Sequence, residues 1–472
     1  MEPDFPLALR LPPRGSRRLT HELRAQLRAA ILDERLKSGM HLPSTRMLAA
    51  TLGISRNSVM AAYESLAGEG YIVTQPGGGT YVADLKRGGR LSAATRRSPP
   101  APRASTAAPA CDFRLGVPDQ GLLDWGSWRR LSSRALRQLA RQSAVYPPSN
   151  GQPALRLAIA RHVSLARAVA CDADGLLVTS GAQQAFDLVA RHLVTAGETV
   201  VAVEDPGYPV AWAAFRAAGA TLAPVRVDAE GLVVEELPRE ARVIYVTPAH
   251  QFPLGVVLSA RRRAALLEFA RTHRALVVED DYDGEFRYDG FPHDALKTID
   301  RNDCVFFVGT FSKSLFPSLR LGYVVPPLRS LPALVELKRS TDGHCNLAAQ
   351  DTLAAFICEG HLARHMRRVR KRYAARRQRL IDALDGPLAP WLERVPGTSG
   401  LHVSARLRLR TDVRALVDAA RAAGVGVYPI DEYRFGARGA QVLLFGYGAV
   451  EDATIRAGLL GLRRVLAQRL PV

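Results

Sequence analysis

Five short apolar runs, at residues 176–178, 200–203, 243–246, 275–278 and 305–308, punctuate this 472-residue chain, and segments with helical spacing such as 183–193 and 260–271 lie between them. Runs of this length suit buried strands. Parallel strands need a crossover connection, usually a helix, so the alternation predicts an α/β unit with a largely parallel sheet. Open sheets of that kind bind ligands beyond the carboxyl ends of their strands. The residues that follow each run are therefore where chemistry is expected.

Two of those loops carry reactive groups. The chain has six lysines, and Lys313 follows the fifth run in the segment Gly309-Thr310-Phe311-Ser312-Lys313-Ser314. The fourth run ends in Glu279-Asp280-Asp281-Tyr282-Asp283. A lysine amine that burial keeps neutral part of the time forms a Schiff base with an aldehyde. A carboxylate keeps a pyridine nitrogen protonated, which makes the ring an electron sink, and a phenol can bond a ring hydroxyl oxygen. An acidic strand end by itself would also suit a divalent cation or a solvated turn. Joined to the lysine, it predicts a site for pyridoxal 5'-phosphate (PLP). The other loops fit that expectation. Gly181, Ala182 and Gln183 open a helix whose N-terminus suits an anion. Tyr208 can lie over a flat ring, and Gln251 sits in the polar turn 247–255. Thr310, Ser312 and Arg320 can hold a phosphate.

The N-terminal region reads differently. Apolar residues at Leu19, Leu23, Leu27, Ala30 and Ile31 predict a helix. Ser44 can cap a second helix through Leu52, Gly53 can make a turn, and Ser55 can cap a third over 56–67. Two helices joined by a glycine turn follow the helix-turn-helix plan. Ser55, Arg56 and Asn57 at a helix N-terminus can reach phosphates and base edges in a major groove. Residues 71–74 and 80–83 then predict a β-hairpin with a glycine-rich tip. Charge agrees: residues 1–110 hold 16 Lys/Arg against 8 Asp/Glu, within a net charge of +19. Such a balance attracts phosphate polyanions.

Residues 85–110 contain four prolines, six Lys/Arg and no acid, and read as an extended, flexible tether. Three segments are thus expected: 1–84, the tether 85–110, and 111–472. Five scattered cysteines without a C-x-x-C pair suit reduced thiols in a cytosol, and no stretch approaches a membrane helix in length. His361 and His365, four apart, read as one face of a helix and not as a metal site. The basic strip 364–379 reads as the solvated face of a long helix.

The order helix, Pro43-Ser44-Thr45-Arg46-Met47-Leu48-Ala49 helix, Ser55-Arg56-Asn57-Ser58-Val59 helix and glycine-tipped wing resembles the winged helix-turn-helix of GntR-type regulators over residues 17–84. The resemblance implies that Arg46, Ser55, Arg56, Asn57 and Gly78 lie against DNA. Residues 111–472, including Tyr146-Pro147-Pro148-Ser149-Asn150-Gly151, resemble the fold-type-I, class I aminotransferases. That likeness implies that Lys313 carries the Schiff base as an internal aldimine, Asp280 pairs the pyridine nitrogen, Tyr282 bonds the ring oxygen and Tyr208 stacks on the ring. Gly181, Ala182, Thr310, Ser312 and Arg320 would bind phosphate, and Tyr146 would reach the phosphate of a partner subunit in a homodimer. The fusion of the two is similar to the MocR family. It implies a PLP-dependent, DNA-binding transcriptional regulator, cytoplasmic, acting on paired half-sites, with the aminotransferase-like domain as effector sensor.

The chain also departs from an enzyme. Aminotransferases hold a substrate carboxylate with an arginine near the C-terminus. Here Leu444 holds that place, and 441–448 contains no arginine. Val210 stands where some family members have another. Arg434 or Arg438 could substitute. The expected effector is an amine, an amino acid or PLP itself. The alternatives are an active PLP-dependent aminotransferase with an appended DNA-binding domain, and a DNA-binding scaffold with a degenerate cofactor site.

Overall fold

The computed structural model describes residues 7, 9–13, 16, 18–75, 78–84, 109–142, 146–288, 294–436 and 439–470. The chain forms two compact units, 1–104 and 105–472. All but the last two residues of the expected tether lie outside the described residues.

The first unit runs α1 (Leu19–Leu32), β1 (His41–Leu42), α2 (Thr45–Leu52), α3 (Arg56–Gly68), β2 (Ile72–Gln75) and β3 (Gly79–Val82). The starts of α2 and α3 have the expected chemistry. Ser44 Oγ accepts from Met47 N–H at 3.2 Å, and Ser55 Oγ accepts from Ser58 N–H at 3.1 Å. These satisfy amide donors that a helix leaves unpaired. Gly53 ends α2 at φ 63°, the left-handed conformation that costs glycine least. Leu23, Leu27, Ala30 and Ile31 of α1 pack on Leu48, Val59, Ala62, Tyr63 and Leu66. The strands pair antiparallel in the order β1-β3-β2.

The second unit starts with β4 (Cys111–Asp112), α4 (Trp125–Leu139) and α5 (Pro153–Arg167). Then follow β5 (Leu177–Thr179), α6 (Ala182–Leu193), β6 (Val200–Asp205), α7 (Pro209–Ala217), β7 (Thr221–Asp228), β8 (Gly231–Leu232), β9 (Ala241–Val246), α8 (Ala260–His273), β10 (Leu276–Asp281), α9 (Leu296–Ile299), β11 (Val305–Thr310) and β12 (Gly322–Val325). Three helices, α10 (Leu331–Thr341), α11 (Leu347–Cys358) and α12 (His361–Asp385), lead to a smaller sheet. It is built from β13 (Leu392–Arg394), β14 (His402–Leu407), β16 (Tyr428–Pro429) and β17 (Val442–Gly446), with α13 (Val413–Ala422), β15 (Val425–Gly426) and α14 (Asp452–Arg469) beside it.

The large sheet has the order β5-β12-β11-β10-β9-β6-β7-β8. Pairs β11-β10, β10-β9, β9-β6 and β6-β7 are parallel, and β12 lies antiparallel between β11 and β5. All five expected runs are strands of this sheet. β7, β8 and β12 were not expected. Pro224 interrupts β7, β8 is two residues long, and β12 is four. Helix α6 and α7 pack on the sheet through Phe186, Val189, Trp212 and Phe215, and α8 covers the other side through Leu266, Leu267 and Ala270. Among the described residues no helix is long and apolar enough to cross a membrane.

Candidate cofactor site and DNA-reading helix

The carboxyl ends of β5, β6, β9, β10 and β11 lie along one edge of the sheet because those strands run in one direction. Asp280 is the penultimate residue of β10 and is 3 % exposed. Its Oδ2 accepts the Tyr245 hydroxyl of β9 at 2.6 Å, and its Oδ1 has no hydrogen-bond partner. Register explains the pairing: Tyr245 lies opposite Val278, so its side chain reaches the strand end two residues on. Burial pushes the Asp280 carboxyl up to about 7, and the Tyr245 bond and the Lys313 charge pull the other way. A buried acceptor without a donor carries a desolvation cost, so Oδ1 is a place for a cationic N–H.

Lys313 follows β11. Its Nζ donates to the Gly116 carbonyl at 2.8 Å. Burial pulls the amine below the usual lysine range, against the opposing charges of Asp283 and Asp280. That is the direction nucleophilic attack on an aldehyde requires. Gly116 has φ 66°, and a Cβ there would stand 2.9 Å from Nζ. The sequence offered no signal for this contact, which spans 197 positions.

The groups expected to hold an anion lie on three loops. Gly181 caps α6 at φ 88°, and Ala182 is the first residue of the helix. Arg320 donates to the Ser180 carbonyl at 2.8 Å, and a Cβ on Gly181 would stand 3.2 Å from its guanidinium. Thr310 Oγ1 donates to Ser312 Oγ at 3.0 Å. A helix N-terminus, two hydroxyls and a guanidinium are groups suited to an anion. Gln183 donates weakly to the Val210 carbonyl at 3.4 Å, and its Oε1 is buried without a partner.

Tyr208 packs edge-on to Phe252 at 5.4 Å, and burial pushes its phenol up to about 12, with Asp280 and Arg320 close enough to act on it. Tyr282 lies 2.9 Å from His250 Nδ1. Gln251, expected to face the cofactor, bonds instead to the protein: Nε2 donates to the Pro206 and Phe252 carbonyls at 2.7 Å, and Oε1 accepts from Leu254 N–H. These three bonds satisfy main-chain polar groups of its own turn and the neighbouring loop. Tyr146 is 94 % exposed, with the His344 ring 6.3 Å away.

Leu444 is fully buried in β17, among Leu254, Val256, Val395, Ile430 and Val442. Arg434 donates to the Ala440 carbonyl at 2.8 Å and is pulled below the usual arginine range by burial, with Asp431 and Asp205 opposing. Arg438 lies outside the described residues. His365 is buried with Nε2 2.8 Å from the Ser314 carbonyl, and His361 stacks on Phe356. Several cations of the 364–379 strip are tied down: Arg376 holds Asp119, and Arg372 and Arg379 hold Asp452.

On the first unit, Arg46, Ser55, Arg56, Asn57 and Gly78 are all exposed. Arg56 Nε donates to Thr45 Oγ1 at 3.4 Å, which ties the start of α3 to the start of α2. The Tyr81 hydroxyl donates to the Gly78 carbonyl at 2.6 Å and braces the wing.

The fold and this edge define a winged helix-turn-helix joined to a fold-type-I PLP-binding domain. Comparison with known families agrees. Residues 19–82 match the model of bacterial regulatory proteins of the gntR family, and residues 122–437 match that of aminotransferase class I and II. The chain is 35 % identical over 456 residues to the probable rhizopine catabolism regulatory protein MocR of Rhizobium meliloti, covering 94 % of this chain and 92 % of the relative. It is 32 % identical over 457 residues to the pyridoxine biosynthesis transcriptional regulator PdxR of Corynebacterium glutamicum, covering 96 % of each. Among solved structures, Pyrococcus horikoshii kynurenine aminotransferase superposes with a TM-score of 0.71 at 26 % identity, over 78 % of this chain and 93 % of that one. The protein belongs to the MocR family: it is a DNA-binding transcriptional regulator whose second domain has the aminotransferase fold and takes pyridoxal phosphate.

Proposed function

We propose that the second unit is an effector sensor which holds PLP at the β5–β11 edge, with Lys313 as its amine anchor and the winged helix as its output. The observation that carries this reading is the partnerless Asp280 Oδ1, held in place by Tyr245 on the same sheet edge as a partly buried lysine. PLP supplies an aldehyde, an electron-withdrawing ring and a phosphate. This chain's residues orient it. Asp280 would take the ring nitrogen, Tyr282 the ring oxygen, Tyr208 a ring face, and Gly181, Ala182, Thr310, Ser312 and Arg320 the phosphate. Tyr146, with its bare side chain, would serve the site of a second copy in a homodimer.

The apolar packing of Leu444 argues against a carboxylate clamp of the enzyme kind, because a guanidinium there would have to displace five buried aliphatic neighbours. PLP itself, or an amine without a carboxylate, fits this wall better than an amino acid. The effector shifts the population of domain arrangements only if it binds them with different affinity. A dimer would place two α3 helices on paired half-sites in the cytoplasm.

The test is direct. Full-length protein loaded with PLP should absorb in the visible, and Lys313→Ala should lose that band while circular dichroism stays unchanged. Operator affinity should respond to PLP in the wild type and not in the variant. A colourless wild type would overturn the reading. Multiple-turnover transamination with a keto-acid acceptor would favour the enzyme instead.

A further inference from the structure

His250 lies in a cage that its neighbours are shaped to provide. It is 2 % exposed, and its ring packs 4.5 Å from that of His402. Gly400, at φ 84°, and Gly255, at φ 82°, flank it. A Cβ on Gly400 would stand 1.9 Å from the imidazole, and one on Gly255 would stand 3.1 Å from it. Any side chain at 400 would therefore evict the ring. One nitrogen of this ring faces two oxygens: Nδ1 is 3.0 Å from Asp283 Oδ2 and 2.9 Å from the Tyr282 hydroxyl. Asp283 is 3 % exposed, its Oδ2 also accepts from Leu401 N–H at 3.1 Å, and its Oδ1 has no partner.

Hydrogen-bond chemistry restricts how these three groups can be arranged. A carboxylate only accepts. With Asp283 as its neighbour, Nδ1 must carry the proton. A protonated Nδ1 has no lone pair, so the Tyr282 hydroxyl cannot donate to it and can only accept a share of the same N–H. The phenol proton is then free to point elsewhere. We infer that the His250–Asp283 pair sets the polarity of Tyr282, fixing its oxygen as an acceptor on the imidazole side so that its O–H is presented to the ring oxygen of the bound cofactor. His250 and Asp283 are positioning residues in this scheme, acting through Tyr282. The inference rests on the reading that PLP occupies this edge.

Other charged and titratable groups face the cluster. Asp280, Glu204 and Tyr447 act on Tyr282; Lys313 acts with Asp283; His402 and Arg377 lie beside His250. The test therefore compares variants of one cluster and not absolute midpoints. Full-length protein loaded with PLP is titrated, and the pH midpoint of its visible band is read.

Tyr282→Phe should move the midpoint by about tenfold or more in proton concentration, the effect of losing a hydrogen bond to a charged oxygen. Asp283→Asn should move it in the same direction. Its amide can donate to Nδ1, which turns the imidazole over and lets the phenol donate inward. Asp283→Asn with Tyr282→Phe should move it no further than Tyr282→Phe alone. His250→Gln keeps an N–H donor and should stay near the wild type, whereas His250→Leu leaves the Asp283 carboxylate to accept the phenol proton and should follow Tyr282→Phe. A wild-type midpoint in both Asp283→Asn and His250→Leu, or a double variant that sums the single shifts, would overturn the inference. If Asp283→Asn does not fold, the His250→Leu and His250→Gln pair decides, and equal midpoints overturn it. A wild type without the band defeats the PLP reading itself, which separates the two failures.

Discussion

Tyr245→Phe removes one oxygen from the centre of the sheet, and its cost should depend on pH. The Tyr245 hydroxyl is the hydrogen bond that Asp280 has among the described residues, at 2.6 Å on Oδ2, with Oδ1 partnerless. Burial holds the Asp280 carboxyl at about 7 in the folded protein. An unfolded aspartate titrates at about 3.9. The folded pKa is the higher one, so the folded state binds the extra proton. Stability from this group is greatest below pH of about 4 and falls as pH rises through about 7. Losing the phenol raises the folded pKa further and deepens the alkaline loss. At pH 5 the variant gives up a bond to a neutral carboxyl, about 1 kcal/mol; at pH 8 it strips a buried carboxylate, about 1.5–3 kcal/mol. Urea unfolding of cofactor-free protein at both pH values measures the difference. Tryptophan fluorescence reports the second unit, since Trp125, Trp128, Trp212 and Trp391 all lie in it. Equal losses at pH 5 and pH 8, or the larger loss at pH 5, would refute the reasoning.

Other substitutions test other links. Gly181→Ala forces an L-residue to φ 88° and brings a methyl to 3.2 Å from Arg320; a strain of about 1–2 kcal/mol should lower PLP affinity about tenfold in an absorbance titration. Ser55→Ala removes the cap of α3 and should cost the first unit about 1 kcal/mol in thermal unfolding. Arg56→Ala should weaken operator binding and reduce the slope of log K against log salt by about 1 in fluorescence anisotropy. Leu444→Ala should destabilise the second unit by about 2–5 kcal/mol, because Leu444 is fully buried among aliphatic neighbours.

Much of the candidate site was legible before any fold was known. Lys313, Asp280 and Tyr282 stand a few residues beyond apolar runs, and the end of a parallel strand is where such groups can meet a ligand. Other members left weaker traces. Tyr245 reads as one more apolar residue of β9, because nothing local says that it lies opposite Val278. Gly116 is one glycine in a loop, 197 positions from the amine it faces. Gln251 reads as a ligand because it is polar and follows a strand, yet three of its bonds go to the main chain of its own turn and the neighbouring loop.

By itself the sequence determined many elements and the reactive groups at their ends: the periodicity of α1, the serine caps of α2 and α3, and the apolar strands that lead to Asp280 and to Lys313. Those features depend on residues a few positions apart, where backbone preference and side-chain spacing act directly. Tertiary structure decided the rest. Strand order set Tyr245 against Asp280, the small sheet supplied Gly400 and His402 to cage His250, and β17 turned Leu444 into the core of that sheet. Such contacts join segments tens to more than a hundred residues apart. Their register follows from the packing of whole layers, which no local pattern specifies.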